Sequence, residues 1–224
     1  NNVDAIMLIG NDIRLEEGGI TKLFEILQSK KEYGMIAPLM FMKDSRIIED
    51  FGSEITPFMI MKPRYYKKTE HELPYKTEIV PTVTGGMNIA KREFYEKVGL
   101  QDENLFMYSD EVDMGLRTKK TEYKIIVTAE VHSWHQHINP HERNIRLPYS
   151  SYLIGRNKVY LAKKHKGYFW GFIQFIYHFY IFLKGWLLNI GNKEIRIDRQ
   201  YFLRGSINGF LNRMNDNCII KREK

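Results

Sequence analysis

The run Ala5-Ile6-Met7-Leu8-Ile9, followed at once by Gly10-Asn11-Asp12, narrows the folds open to this chain more than any other feature. Five consecutive apolar residues without alternation are the pattern of a strand buried on both faces of a parallel sheet. The glycine and the two polar residues end it. Open α/β sheets bind ligands in the crevice beyond the carboxyl ends of their strands, so Asp12 is a candidate ligand-binding carboxylate. A second strand-like run, Tyr123 to Thr128, leads into His132-Ser133-Trp134-His135-Gln136-His137 and brings imidazole near the same edge.

Between them lies Leu105-Phe106-Met107-Tyr108-Ser109-Asp110-Glu111-Val112-Asp113-Met114-Gly115-Leu116-Arg117, where three carboxylates crowd one short segment as the chain turns helical. Like charges this close raise one another's pKa, and a helix N-terminus offsets part of the cost through its free N–H groups. A poised general base is one use of such a cluster. The other is structural: an acidic first helical turn, with Asp113 and Arg117 paired at i, i+4.

Five motifs in order give the chain a resemblance to the inverting nucleotide-sugar glycosyltransferases of family two, which have the GT-A fold, and especially to their rhamnosyltransferase-like and galactofuranosyltransferase-like members. Ile9-Gly10-Asn11-Asp12 resembles the metal-binding loop, and Thr84-Gly85-Gly86-Met87 the glycine-containing acceptor loop. Phe106 to Arg117 resembles the tyrosine-rich run that ends in paired acids, Trp134-His135 the late metal-ligand histidine, and Tyr152 to Asn157 the aromatic and Arg-Asn run after it. The resemblance covers residues 1 to about 165. It implies an α/β fold with a mixed, mainly parallel Rossmann-like sheet. It also implies that the chain is the carboxyl-terminal part of a longer protein, because the strands that hold the nucleotide precede the metal loop in that family, and Asn1 lies only a few residues before it here.

The site implied by the resemblance has a divalent cation, Mn²⁺ or Mg²⁺, on Asp12 and His135. Asn11, Asp12 and Arg156 face the donor phosphates, and Gly85, Gly86, Asp113 and Trp134 face the acceptor. Such a cation neutralises a leaving diphosphate, and oxygen with imidazole ligation tilts the choice toward Mn²⁺. The metal loop keeps a single carboxylate, with Gly10 and Asn11 where many members have acids. The usual Glu-Asp pair is reversed to Asp110-Glu111, so Glu111 inherits the general base by position and Asp110 rivals it. Gly85-Gly86 also reads as a plain bulge or turn, and Arg156 as a helix-surface arginine. His132, His135, His137 and His141 crowd together, but structural zinc recruits cysteine and the chain has only Cys218. His132 and His137 then read as loop or surface residues.

A single cysteine excludes an internal disulfide. The formal charge of +7 is uneven: residues 1–142 hold 18 Lys+Arg against 23 Asp+Glu, and residues 143–224 hold 16 against 4. An acidic catalytic part, residues 1–146, is thus followed by a basic helical tail, residues 147–224. In that tail Tyr168 to Ile190 carries one formal charge, Lys184. Gly167, Gly171, Gln174, His178 and Gly185 fall on one helical face and Phe169, Phe172, Phe175, Ile176, Phe179 and Leu183 around the rest. Such a helix suits the membrane interface better than a span, and Lys163 to Arg199 supplies cations for anionic headgroups. Burial against the domain or in a second copy of the chain is the alternative.

Around these landmarks, Ile20, Leu23, Phe24 and Leu27 have helical spacing. Residues 43–76 read as an irregular excursion outside the core. Phe94, Tyr95 and Val98 mark a short helix stopped by Gly99, and Phe202, Leu203, Ile207, Phe210, Leu211 and Met214 form a last amphipathic stripe. The expected protein is a metal-dependent inverting glycosyltransferase on the cytoplasmic face of a bacterial membrane. It would take a nucleotide-sugar donor and a glycan or lipid-linked acceptor in polysaccharide assembly. A catalytically silent relative and a basic nucleic-acid-binding module are the alternatives, and the acidic front half argues against the second.

Overall fold

In a computed structural model, residues 3–136 and 148–214 are described. They form two units. Residues 3–56, 61–101 and 111–136 make an α/β unit, and residues 57–60, 102–110 and 148–214 a helical one. Along the first run β1 (Ala5–Ile9), β2 (Ile13–Leu15), α1 (Gly19–Gln28) and β3 (Tyr33–Met42), followed by β4 (Ile48–Asp50), β5 (Ser53–Ile55) and β6 (Met61–Pro63). Then come β7 (Thr77–Val80), β8 (Met87–Lys91), α2 (Arg92–Val98), α3 (Asp110–Thr118) and β9 (Lys124–His135). Gly99 closes α2 at φ 90°, a left-handed position that glycine takes without steric cost.

The sheet is built around β3, which is buried along its length except at Met42. One edge of β3 pairs in parallel with β9, from Tyr33 opposite Lys124 to Met42 opposite His135. Its other edge is shared by two antiparallel partners, β8 at Met35 and Ile36 and β4 at Met40 and Phe41. The far edge of β9 is likewise divided between β7 and β2, both antiparallel. The mixed α/β sheet therefore has its parallel pairing at the centre and antiparallel pairings around it. Side chains alternate across β3 and β9. Met35, Ala37, Leu39, Phe41, Ile125 and Val127 join the core beneath α2 and α3, while Ile36 and Ile126 join Leu23 and Leu27 of α1.

Two expectations are corrected here. β1 forms over the five apolar residues, but it pairs with β8 at the end of the strand order and leaves Ile6, Met7 and Ile9 exposed. Continuous apolarity marked the strand and not its surroundings. Residues 43–76 are no excursion either: Ile48 and Phe51 are completely buried in the main core. Their apolar residues are spread among prolines and charges, so no periodicity announces them.

The helical unit consists of α4 (Pro148–Lys166), α5 (Tyr168–Leu188) and α6 (Lys193–Phe210). Of the apolar stripe expected on α6, Phe202 is buried, but Gly205, Ser206 and Gly209 make up the rest of the buried face, and Ile207 and, just past the helix, Leu211 are exposed. Glycine decides this contact. A Cβ on Gly205 would meet the carbonyl of Tyr152, one on Gly209 the carbonyl of Arg156, and one on Gly155 the carbonyl of Phe202. Small residues let two helix backbones approach more closely than bulky side chains would, and the bulky ones turn outward.

Candidate active site

The neighbour relations β2–β9–β3–β4 set a row of polar side chains across the sheet. Ile13 lies opposite His135, and the Gln136 N–H donates to the Asp12 carbonyl at 2.6 Å, so Asp12 sits directly beside the end of β9. Asp12 Oδ2 is 3.3 Å from His135 Nε2. Glu49 Oε1 approaches the other ring nitrogen, Nδ1, at 2.8 Å. Glu49 reaches this place through an irregularity: Met40 pairs with Asp50 and Phe41 with Ile48, which leaves Glu49 as the extra residue of a β-bulge. Bulges commonly re-aim a side chain.

The bond to Glu49 and the nearby carboxylate charges raise the His135 pKa, with partial burial opposing them. A proton on Nδ1 directed at Glu49 leaves Nε2 facing Asp12. A ligating histidine that donates its other N–H to a carboxylate is the usual supported arrangement. Neighbouring ligands of a six-coordinate Mg²⁺ at about 2.1 Å stand about 3.0 Å apart, so the spacing of Asp12 and His135 fits a shared cation. Among the described residues no three His, Cys, Asp or Glu side chains converge as a metal site. The protein would contribute two ligands, and bound phosphates or water the rest.

Beside this row, the chain between β7 and β8 is tied down at both glycines. The Gly10 N–H donates to the Gly86 carbonyl at 2.8 Å, and the Gly85 N–H donates to Glu111 Oε1 at 3.1 Å. A Cβ on Gly85 would lie 2.8 Å from that same oxygen, so a larger residue there would push the Glu111 carboxylate aside. The Thr82 hydroxyl donates to the Glu111 carbonyl at 2.8 Å, fixing the first turn of α3 to the same segment. Gly10, Gly85 and Gly86 thus connect the Asp12 loop to Glu111.

Asp113 stands elsewhere. It is completely buried, and Arg117 Nε donates to its Oδ2 at 2.8 Å. The same guanidinium also donates to the carbonyls of Val98, Gly99 and Leu100 at the end of α2. The structural i, i+4 pairing is the one realised, and it joins α3 to α2. Trp134 packs on Phe41 at 6.0 Å between centroids, with Arg14 4.7 Å and Arg46 5.6 Å from its ring. Its Nε1–H donates to the Ser45 carbonyl at 3.2 Å. Asn11 is exposed in the turn before β2, and Asp110 opens α3.

Arg156 is not a surface arginine and does not point outward to phosphate. It is completely buried within the helical unit, and its guanidinium donates to Asn157 Oδ1 and to the carbonyls of Asn104 and Met214. Asn157 Nδ2 donates to the carbonyls of Met107 and Tyr108 at 2.8 and 2.7 Å. Tyr108 and Ser109 both have φ 69°, a conformation costly for non-glycine residues. The Arg-Asn pair braces the strained turn that leads into α3.

His132, expected in a loop or on the surface, is a half-buried strand residue. It lies within β9, stacked on Phe41 at 5.5 Å, between Glu16 at 2.9 Å and Glu70 at 3.1 Å. His137, His141 and Cys218 fall outside the described residues.

Glu49 and Asp50 escaped sequence reasoning. Asp50 is buried, Oδ2 accepts long bonds from the Thr84 N–H and hydroxyl at 3.5 and 3.4 Å, and burial pushes its carboxyl up to about 6. Both sit in a segment without periodic signal, and only the bulge separates their roles.

A scan against protein families finds no match for this chain, and a search of curated proteins finds none. Among solved structures it is similar to GalNAc-T7, crystallised with UDP, GalNAc and Mn²⁺, at 15% sequence identity and a TM-score of 0.48. The match covers 59% of this chain, which spans 27% of that one.

Proposed function

We propose that this chain carries the cation-binding and acceptor-activating part of an inverting GT-A glycosyltransferase. It would transfer a sugar from a nucleotide sugar to a glycan or lipid-linked glycan in bacterial polysaccharide assembly. One observation carries the proposal: Asp12 and His135 face one another at 3.3 Å, and the glycine segment bonded to the Asp12 loop also holds Glu111.

A divalent cation bound there supplies charge neutralisation for the leaving diphosphate. Asp12 and His135 hold it, and Glu49 keeps the imidazole turned so that Nε2 faces Asp12. Glu111 takes the proton from the acceptor hydroxyl as that oxygen attacks the anomeric carbon from the face opposite the leaving group. The Gly85 N–H holds the Glu111 carboxylate at the glycine segment, whereas Asp113 is buried and committed to Arg117. Asp110, one residue earlier, is the rival base. Gly85 and Gly86 give the acceptor close access to the backbone, and Trp134 offers an apolar ring of the kind a sugar face packs against.

The test is nucleoside diphosphate release by the full-length protein from a panel of sugar nucleotides, with and without Mn²⁺. Wild type is compared with Glu111→Gln and Asp110→Asn. Metal-dependent release abolished by Glu111→Gln and retained by Asp110→Asn supports the assignment. Release that depends on Asp110 instead moves the base by one residue. No release from any donor, together with no Mn²⁺ binding that Asp12→Ala removes, rejects the enzyme in favour of a silent relative.

A further inference from the structure

The helix α5 is inside out. Its buried residues are Gly171, Gln174 and His178, and they are held by polar contacts. Gln174 Nε2 lies 2.7 Å from His178 Nε2, and His178 Nδ1 lies 2.8 Å from the Ser206 hydroxyl on α6. The opposite faces carry Phe169, Phe172, Ile176, Tyr180 and Leu187, between 48% and 71% exposed. These residues recur every three to seven positions over 19 residues, a stripe about 27 Å long. Scattered exposed apolar residues are ordinary, but a contiguous apolar stripe marks a binding surface.

We propose that this face of α5 docks on an anionic phospholipid surface, with the helix lying in the plane of the interface. No helix among the described residues is long and apolar enough to cross a membrane, and a helix with apolar and polar faces lies at the interface instead. Charge selects the occupant. Residues 143–224 hold 16 Lys+Arg against 4 Asp+Glu, so a second copy would bring like charges together, while acidic headgroups complement them. Two cations also lie beside the tryptophans of this helix: Lys166 Nζ, which donates to the Pro57 carbonyl, is 4.9 Å from the Trp170 ring and Arg196 4.2 Å from the Trp186 ring. Paired aromatic and basic side chains favour the boundary between hydrocarbon and water. The docking surface stands independently of the glycosyl-transfer proposal.

The full chain is mixed with phosphatidylcholine vesicles with and without phosphatidylglycerol, and binding is read by co-sedimentation and by quenching of tryptophan emission with brominated acyl chains. Binding about tenfold or more tighter to the anionic vesicles, weakened by salt and accompanied by quenching, is expected. The triple variant Phe169→Ser, Phe172→Ser, Tyr180→Ser changes only exposed positions and loses binding to both compositions. Lys166→Gln with Lys184→Gln loses only the anionic preference. Far-UV circular dichroism verifies that each variant retains its helices. Absence of binding to either vesicle overturns the proposal. So does a dimer in sedimentation equilibrium that the triple variant converts to monomer, because the stripe would then be a contact between copies.

Discussion

Glu49 holds the Nδ1 side of His135 at 2.8 Å while Asp12 faces Nε2 at 3.3 Å. One imidazole therefore lies between a supporting carboxylate and a prospective co-ligand. Glu49→Gln keeps the size of the side chain but removes its charge, and it should weaken Mn²⁺ binding about 10- to 100-fold. Titration of the protein with Mn²⁺, followed by electron paramagnetic resonance of the free ion, reads this directly without activity. Unchanged affinity in Glu49→Gln, alongside a loss in His135→Ala, would show that the histidine needs no such support.

At Gly85 a methyl group would stand 2.8 Å from Glu111 Oε1. Gly85→Ala should displace that carboxylate at small cost to the fold, with stability within about 1 kcal/mol of wild type. With Glu111 as the proposed base, sugar transfer should fall about 10²-fold, the effect of misplacing a reacting group. Urea unfolding and steady-state rates measured on the same preparation separate the two effects.

Asp50 gives stability a definite pH dependence. Burial raises its carboxyl from the ordinary 3.8 to about 6, so the folded state binds a proton more readily than the unfolded chain. Its contribution is full below about pH 4 and is lost as pH rises through about 6. Urea midpoints across that window should include a downward component with rising pH that disappears in Asp50→Asn. A component that survives the substitution would place the titration elsewhere.

His178 works in the opposite direction. Burial, aided by Lys158, lowers its pKa from 6.5 to about 3, and its ring packs 4.5 Å from Phe202. Neutral His178 contributes stability that is present above about pH 6.5 and lost as pH falls toward about 3. The helical signal should become more sensitive to urea with acidification over that range. His178→Gln should flatten the dependence, and an unaltered slope would rule the residue out.

The Arg156–Asn157 brace makes a fifth variant informative. Asn157→Ala leaves the carbonyls of Met107 and Tyr108 without their donor and releases the turn whose two residues have φ 69°. A loss of about 1 to 3 kcal/mol is expected, measured as a lowered urea midpoint.

Several features were legible in the amino-acid order because they are local. β1 follows the five apolar residues, and α2 ends at its glycine. Asp113 meets Arg117 one helical turn away, and α5 buries the glycine, glutamine and histidine that its spacing collects on one face. Periodicity records which way a side chain points along its own element.

Tertiary structure decided the rest, because strand partners and register are set by contacts distant in sequence. No pattern in residues 43–76 indicates that Glu49 will meet His135, 86 positions later. That meeting requires β9 to run parallel to β3 and one extra residue to bulge from β4. Arg156 shows the converse. Its residue type suits phosphate, yet the glycine-lined approach of α4 and α6 closes over it and turns its donors onto backbone carbonyls. The sequence by itself determined the elements and the chemical groups available, while packing determined which of those groups remain free for chemistry.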